Sequence, residues 1–239
     1  EIPKYWEIGY GFDHGARNPT SCHKYAIDLD GNIFVVGEYY VAGKTVAEHA
    51  PPLKDLMDPM RNPIADPSCF IRNLQKGTYR YSIADQYAEY GIHLIPAQRR
   101  SDVSKSVVLA GIDRVSDFMR FRNDHKHPVT GNKGAPRLFI FNTCVNLIDE
   151  IKGYRWKERK DINQNLPEQP MKVRDHAVDD LRYFIFSRPA SGELAESLPE
   201  GEFERLQVQH IRSIKESIGN PDQTKMDFGD KQDMCERVI

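Results

Sequence analysis

Cysteine is scarce and never paired in this sequence of 239 residues: Cys22, Cys69, Cys144 and Cys235 lie far apart with no CxxC spacing, which signals neither a structural zinc site nor a disulfide framework. A reducing, cytoplasmic setting is the expectation. Long apolar runs are missing too. None approaches the roughly 18 residues that a membrane helix needs, so no bilayer span and no membrane partner is expected. Nor is there an excess of one charge. A net charge of −2 excludes coating of nucleic acid by bulk charge, but leaves room for a local basic groove around an acidic site. A basic-then-apolar leader is lacking and the first residue is Glu1, so the chain is expected to be a piece of a longer protein. What is present, 39% hydrophobic residues in a chain of this length, suffices to bury a core.

Two motif-like stretches fail on spacing. Gly43-Lys44-Thr45 follows a strand pattern, but a phosphate loop needs glycine six residues before its lysine, and position 38 is Glu. "NDHKHPVTGNKG" gathers Asp124, His125 and His127, yet HxH on a polar loop is not a structural zinc spacing, and a solvated surface loop explains it better. No GxSxG elbow appears.

The pattern begins as β. "YWEIGYGFD" reads as a strand, and "SCHKYAIDLDGNIFVVGEYYV" as two more joined by a tight turn at Asp30-Gly31. Thr45 to Met57 reads as partly helical and interrupted by Pro51-Pro52, and "NPIADPS" as a short strand ending at Asp66. "YRYSIADQYAEYG" has helical spacing, "IHLIPA" reads as a strand, and "SDVSKSVVLAGIDRVSDFMRF" as a long helix. A polar loop from Arg122 to Pro136, the strand "RLFIFN" and a helix from about Thr143 to Lys152 follow, then a helix beginning near Lys172. The expected fold class is α/β: a mixed central sheet of three antiparallel strands followed by parallel strands, with helices on both faces. Two regions are expected, a compact domain over residues 1–189 and a peripheral helix with a loose tail over 190–239.

Aspartates then fall at telling places. Asp13 ends the first strand and Asp66 the fourth. If those strands pair in parallel, both carboxylates stand at the C-terminal edge of the sheet, where open α/β sheets place ligands. In "KVRDHAVDDLRYFIFSRP", Asp175 and Asp179 are four residues apart and point the same way on a helix, opposite a stripe of Ala177, Val178, Leu181, Phe184 and Ile185. Gathered carboxylates repel unless cations neutralise them, and hard oxygen donors suit Mg²⁺ or Mn²⁺. Two such ions roughly 4 Å apart activate water and stabilise the leaving oxygen of a phosphodiester. His176 reads as a metal ligand, a proton shuttle or a phosphate-binding group, or equally as a plain helix-surface residue, and Asp180, about 100° round the helix from Asp179, as a second-layer or solvated residue.

"GYGFDHGARNPTSCHKYAIDLDGNIFVVGEYY", "IADPS" and "KVRDHAVDDLRYFIF" together resemble the C-terminal nuclease domain of the large terminase subunit of tailed bacteriophages, over about residues 5 to 189. The last stretch is the most specific, matching a pattern of Asp-His, two residues, Asp, a small residue or Leu, then Arg and Tyr. The resemblance implies an RNase H-like (retroviral integrase-like) fold and an endonuclease that cuts concatemeric viral DNA during packaging. It implies Asp13, Asp66 and Asp179 as catalytic metal-binding carboxylates for two Mg²⁺ or Mn²⁺ ions, with Asp175 and His176 as auxiliary positions. Asp180 stands where the pattern usually has Ala. Implied partners are double-stranded DNA, the portal, the small terminase subunit and an ATPase domain in the parent chain, and the implied location is the host cytoplasm.

Candidate cations for the DNA backbone are Arg17, Arg99, Arg100, Lys126, Lys133, and Arg155 and Lys157 of "YRWKERK". Two other readings stand beside the packaging nuclease: a junction resolvase or transposase-type nuclease on the same fold, and a non-catalytic DNA-binding or assembly module whose aspartates serve as caps and surface charges.

Overall fold

The computed structural model describes residues 2–72, 74–76, 79–97, 107–157 and 169–188. The expected tail over 190–239, together with Arg99 and Arg100, lies outside the described residues. The three leading strands are β1 (Glu7–Asp13), β2 (Pro19–Ile27) and β3 (Ile33–Ala42), antiparallel in series. The Asp30-Gly31 turn expected between β2 and β3 is present, with Gly31 at φ +77°. Helix α1 (Val46–Leu56) follows, then the two-residue strand β4 (Ile64–Ala65).

Strand β4 lies parallel beside β1, pairing Gly11 with Ile64 and Phe12 with Ala65. The hairpin β5 (Leu74–Lys76) and β6 (Tyr79–Tyr81) precedes α2 (Ile83–Glu89) and β7 (Ile95–Pro96). Beyond α3 (Val107–Met119) come β8 (Arg122–Lys126), β9 (Lys133–Ala135), β10 (Leu138–Ile140), α4 (Val145–Gly153) and α5 (His176–Ser187). The central sheet has the order β10-β3-β2-β1-β4-β7, with parallel pairs at both ends and the antiparallel series in the middle.

Alternation along β1 divides the molecule into two layers. Tyr10 and Phe12 join Val46, Ala50 and Leu53 of α1 and Tyr87 of α2 in one core. On the other face, Tyr25, Ile27, Ile33 and Val35 pack with Val115 of α3, Leu147 of α4 and the α5 residues Ala177, Val178, Leu181, Phe184 and Ile185. Helices therefore cover both faces, and Asp13, in step with Gly9 and Gly11, belongs to the α5 face.

Four expectations about local structure change. Pro51 and Pro52 do not interrupt α1: Glu48 accepts the Thr45 amide at 2.8 Å at its start, and burial of Val46, Ala50 and Leu53 holds it where propensity would not. Tyr79 to Tyr81 are strand rather than helix, because Ser82 caps α2 by accepting the Asp85 amide at 3.1 Å. The polar stretch after Arg122 is a hairpin, closed by Gly131 N–H donating to His127 O at 2.8 Å with Gly131 at φ +73°. Finally, α5 begins at His176 and not near Lys172, and it has no solvent face: every residue from Ala177 to Phe186 is buried. Among the described residues, no helix is long and apolar enough to cross a membrane.

Candidate functional site

Two glycines decide how closely α5 approaches β1. A Cβ on Gly9 would stand 2.5 Å from the Phe184 ring, and one on Gly11 would stand 2.5 Å from the main-chain oxygen of Asp180. The helix thus lies against bare backbone, and its first turn reaches the C-terminal end of β1. There His176 Nδ1 meets Asp13 Oδ2 at 2.9 Å.

Asp66 arrives on the same edge, because β4 runs parallel to β1 and the Asp66 amide donates to Phe12 O at 3.3 Å. Its Oδ1 accepts the Ser68 amide and its Oδ2 the Tyr183 hydroxyl, both at 2.7 Å. Asp179, one turn into α5, accepts from Arg182 Nη2 at 2.8 Å and from Lys172 Nζ at 3.0 Å. The guanidinium of Arg182 in turn lies 4.5 Å from the Tyr183 ring centre, which links the surroundings of Asp179 and Asp66.

Electrostatics shows how tightly the acids gather. Burial pushes Asp13 up from its ordinary value to about 7; the His176 hydrogen bond opposes this, and the charges of Asp179 and Asp66 add to it. His176 is raised, chiefly by its hydrogen bond to Asp13. Asp175 precedes α5 rather than lying on it. Lys172 Nζ is 3.2 Å from Asp175 Oδ2, but that buried oxygen receives no well-directed hydrogen bond. Arg174, at φ +49°, makes the left-handed turn between Lys172 and α5, a costly conformation for a residue with a Cβ. Asp13, Asp66, Asp175, His176 and Asp179 are thus all brought to one edge.

Asp180 is not, and it is not solvated. It is fully buried on the sheet side of α5, accepting from Tyr25 Oη at 2.7 Å and from the Ser21 hydroxyl, with His23 Nδ1 at 2.6 Å. His23 Nε2 continues to Glu38 at 3.0 Å, and Glu38 accepts the Leu147 amide at the start of α4 at 2.9 Å. Burial opposes a charged His23, but Asp180 and then Glu38 override it and hold the imidazole up at about 9. The 100° step along a helix that separates Asp180 from Asp179 points it into the core.

Sequence reading also missed Glu150, Arg182 and Lys172. Glu150, buried on α4, accepts the Ala177 and Val178 amides at 2.7 and 3.1 Å and so caps α5 from another helix. Only the Arg182 position carried a signal, through the Asp-x-x-Arg spacing that puts the guanidinium one turn from Asp179.

No protein-family model matches the chain, and no curated protein matches it. Solved structures do. The nuclease domain of the P22 large terminase superposes with a TM-score of 0.56 at 19% identity, over 78% of this chain and 83% of that one. The large terminase of a thermophilic bacteriophage gives 0.52 at 21% identity, over 77% of this chain. The chain has the fold of a large-terminase nuclease domain. That agrees with the mixed sheet expected from the strand order and with the RNase H-like architecture that the resemblance implies, and the chain covers about 40% of the length of the thermophilic phage's protein.

On this terminase nuclease fold the candidate DNA-binding cations scatter. Arg17 is exposed in the turn after Asp13, at the acid edge. Arg155 and Lys157 lie on the segment that pairs with Gln169 to Met171 and leads into α5. Lys126 and Lys133 lie on the β8–β9 hairpin, and the strand register puts that hairpin at the opposite end of the sheet. Among the described residues, no three acidic, histidine or cysteine side chains stand in an arrangement that could hold an ion as placed. The donor chemistry nevertheless suits a hard divalent ion: the groups are carboxylates, Asp13 is raised by burial and then by its acidic neighbours, and one Asp175 oxygen is buried without a directed donor. Lys172 and Arg182 now supply Asp179 with the positive charge that an ion would bring.

Proposed function

We propose that the chain is a divalent-metal-dependent endonuclease acting on double-stranded DNA during viral genome packaging. The observation that carries this reading is the convergence of Asp13, Asp66 and Asp179, with Asp13 pushed up to about 7 in part by the other two, at the strand ends of a terminase nuclease fold. Asp13, Asp66 and Asp179 would hold Mg²⁺ or Mn²⁺, with Asp175 beside them. Bound divalent ions would supply Lewis acidity towards the phosphodiester and lower the pKa of water.

The chain's own groups do the rest. Asp13 Oδ2 fixes the His176 ring through Nδ1, so Nε2 is the atom through which His176 exchanges a proton. Tyr183 and the Ser68 amide orient the Asp66 carboxylate, and Arg182 orients that of Asp179. Arg17 at the acid edge and Arg155 beside the entry to α5 hold the DNA backbone by charge.

Cleavage of supercoiled plasmid with Mn²⁺ present, comparing the chain with its Asp66→Ala variant, tests the reading. Loss of nicking in the variant supports it. Equal nicking by both sinks the assignment of the acids, and no nicking by either moves the chain to a DNA-binding role.

A further inference from the structure

A cavity of about 280 Å³ opens between the β2–β3 turn and the β8–β9 hairpin, lined by Asp30, Arg122, Asp124, His125, Lys126 and Arg137. The register places it far from the acids. Asp13 pairs with Ser21 at one end of β1 and Glu7 with Ile27 at the other, and the turn lies beyond Ile27, roughly 20 Å from the acid edge at the rise of a β-strand.

Its cations are only partly compensated. Arg137, at the entry to β10, donates Nη2 to the Asp30 main-chain oxygen at 2.7 Å, and its guanidinium carbon lies 5.6 Å from the Phe118 ring centre. Arg122 donates Nη2 to Asp117, outside the cavity, at 2.8 Å. The Nε groups of both arginines are buried and without a hydrogen-bond partner. Among the described residues, neither Asp30 nor Asp124 forms an ion pair within 4 Å of any cation lining the cavity. His125 is held by Asn32 Oδ1 at 2.7 Å, which fixes the hairpin against the turn. Two guanidinium groups and an ammonium against the carboxylates of Asp30 and Asp124 leave the lining net positive, and with buried guanidinium donors unmet it forms a receptor for a compact anion rich in oxygen.

We propose that this cavity is a phosphate subsite, separate from the acid cluster, which takes one phosphate group from a nucleic-acid backbone or a free phosphate ester. Arg137 and Lys126 carry the recognition and Arg122 completes it. The inference does not depend on cleavage, and it is tested without cleavage. The chain is titrated in EDTA with inorganic pyrophosphate by calorimetry and with a short labelled duplex by fluorescence anisotropy, as wild type, Arg137→Gln, Lys126→Glu and Lys133→Glu.

Lys126 is exposed, so its variant retains the fold if Arg137→Gln does not, and Lys133 lies on the same hairpin without lining the cavity. The expected result is binding at least tenfold weaker in Arg137→Gln and Lys126→Glu, with pyrophosphate binding by Lys133→Glu unchanged. Weakening of pyrophosphate binding alone identifies a free phosphate ester as the occupant; weakening of duplex binding identifies the nucleic-acid backbone. No change in either variant, or an equal loss of pyrophosphate binding in Lys133→Glu, overturns the subsite.

Discussion

Asp179 and Asp180 follow one another on α5, yet the first meets Lys172 and Arg182 at the edge of the sheet while the second meets Ser21, His23 and Tyr25 in the interior. The two surroundings are built by different rules. Around Asp180 every partner is a fixed side chain, and the network runs through His23 and Glu38 into the first turn of α4. Around Asp179 the partners are the buried Arg182 and a half-exposed lysine, and Asp13 close by is raised by burial, with the charges of Asp179 and Asp66 adding to it. A closed polar network specifies one arrangement of its helix, whereas an acid cluster held in part by an exposed lysine can exchange that charge for a cation.

The largest effects come from removing each aspartate in turn. Asp180→Ala strands a buried, protonated His23 and should cost about 3–5 kcal/mol in urea denaturation, as for a broken buried ion pair. Asp179→Asn leaves the buried Arg182 an acceptor but not a charge, so it should cost about 1–3 kcal/mol, less than Asp180→Ala, yet abolish most Mn²⁺-dependent nicking. A stability loss as large as that of Asp180→Ala would erase the distinction.

Acidity separates the regions next. The folded His23 is raised from 6.5 to about 9, so its contribution, on the order of 3 kcal/mol, is complete below pH 6.5 and is lost as pH rises through about 9. Asp13 is raised from 3.8 to about 7, so the folded state holds a proton that the unfolded state has released, and stability falls between about pH 4 and 7. Melting temperatures across pH 4 to 10 should show both slopes, and added Mn²⁺ should flatten only the lower one.

Packing gives a smaller effect that both regions share. Gly11→Ala forces a methyl group to within 2.5 Å of the Asp180 main-chain oxygen and should cost about 1–3 kcal/mol, with a matching loss of nicking, since α5 carries both aspartates. Smallest is Lys172→Gln. Its ion pairs are half-exposed, so stability should change by less than about 1 kcal/mol, while Mn²⁺ affinity, read by calorimetry, should tighten severalfold.

The acids at strand ends were legible because alternation and strand order are written locally: Asp13 and Asp66 each close a recognisable strand, and parallel pairing makes them neighbours. Whether Asp180 was solvated or lay behind the acids stayed open, because its environment is set by Ser21, His23 and Tyr25, more than 150 residues earlier, and no spacing rule links them. Glu150 stands in "LIDEIK", where it resembles any solvated helix charge until α5 docks on it. The β8–β9 hairpin carries no alternating apolar pattern, so it read as a polar loop. Pro51-Pro52 misled in the other direction, since tertiary burial outweighed local propensity.

The glycine-lined contact between β1 and α5 also has a bearing on time. Asp13 and its partner His176 are separated by 163 positions in the chain. Until α5 has been synthesised and docked against Gly9 and Gly11, the sheet displays Asp13 and Asp66 but lacks both Asp179 and His176. Closing so long a loop is among the later events of folding. A nascent chain therefore carries only half of its acid cluster, and whatever chemistry that cluster performs is withheld until the last of the described helices is in place.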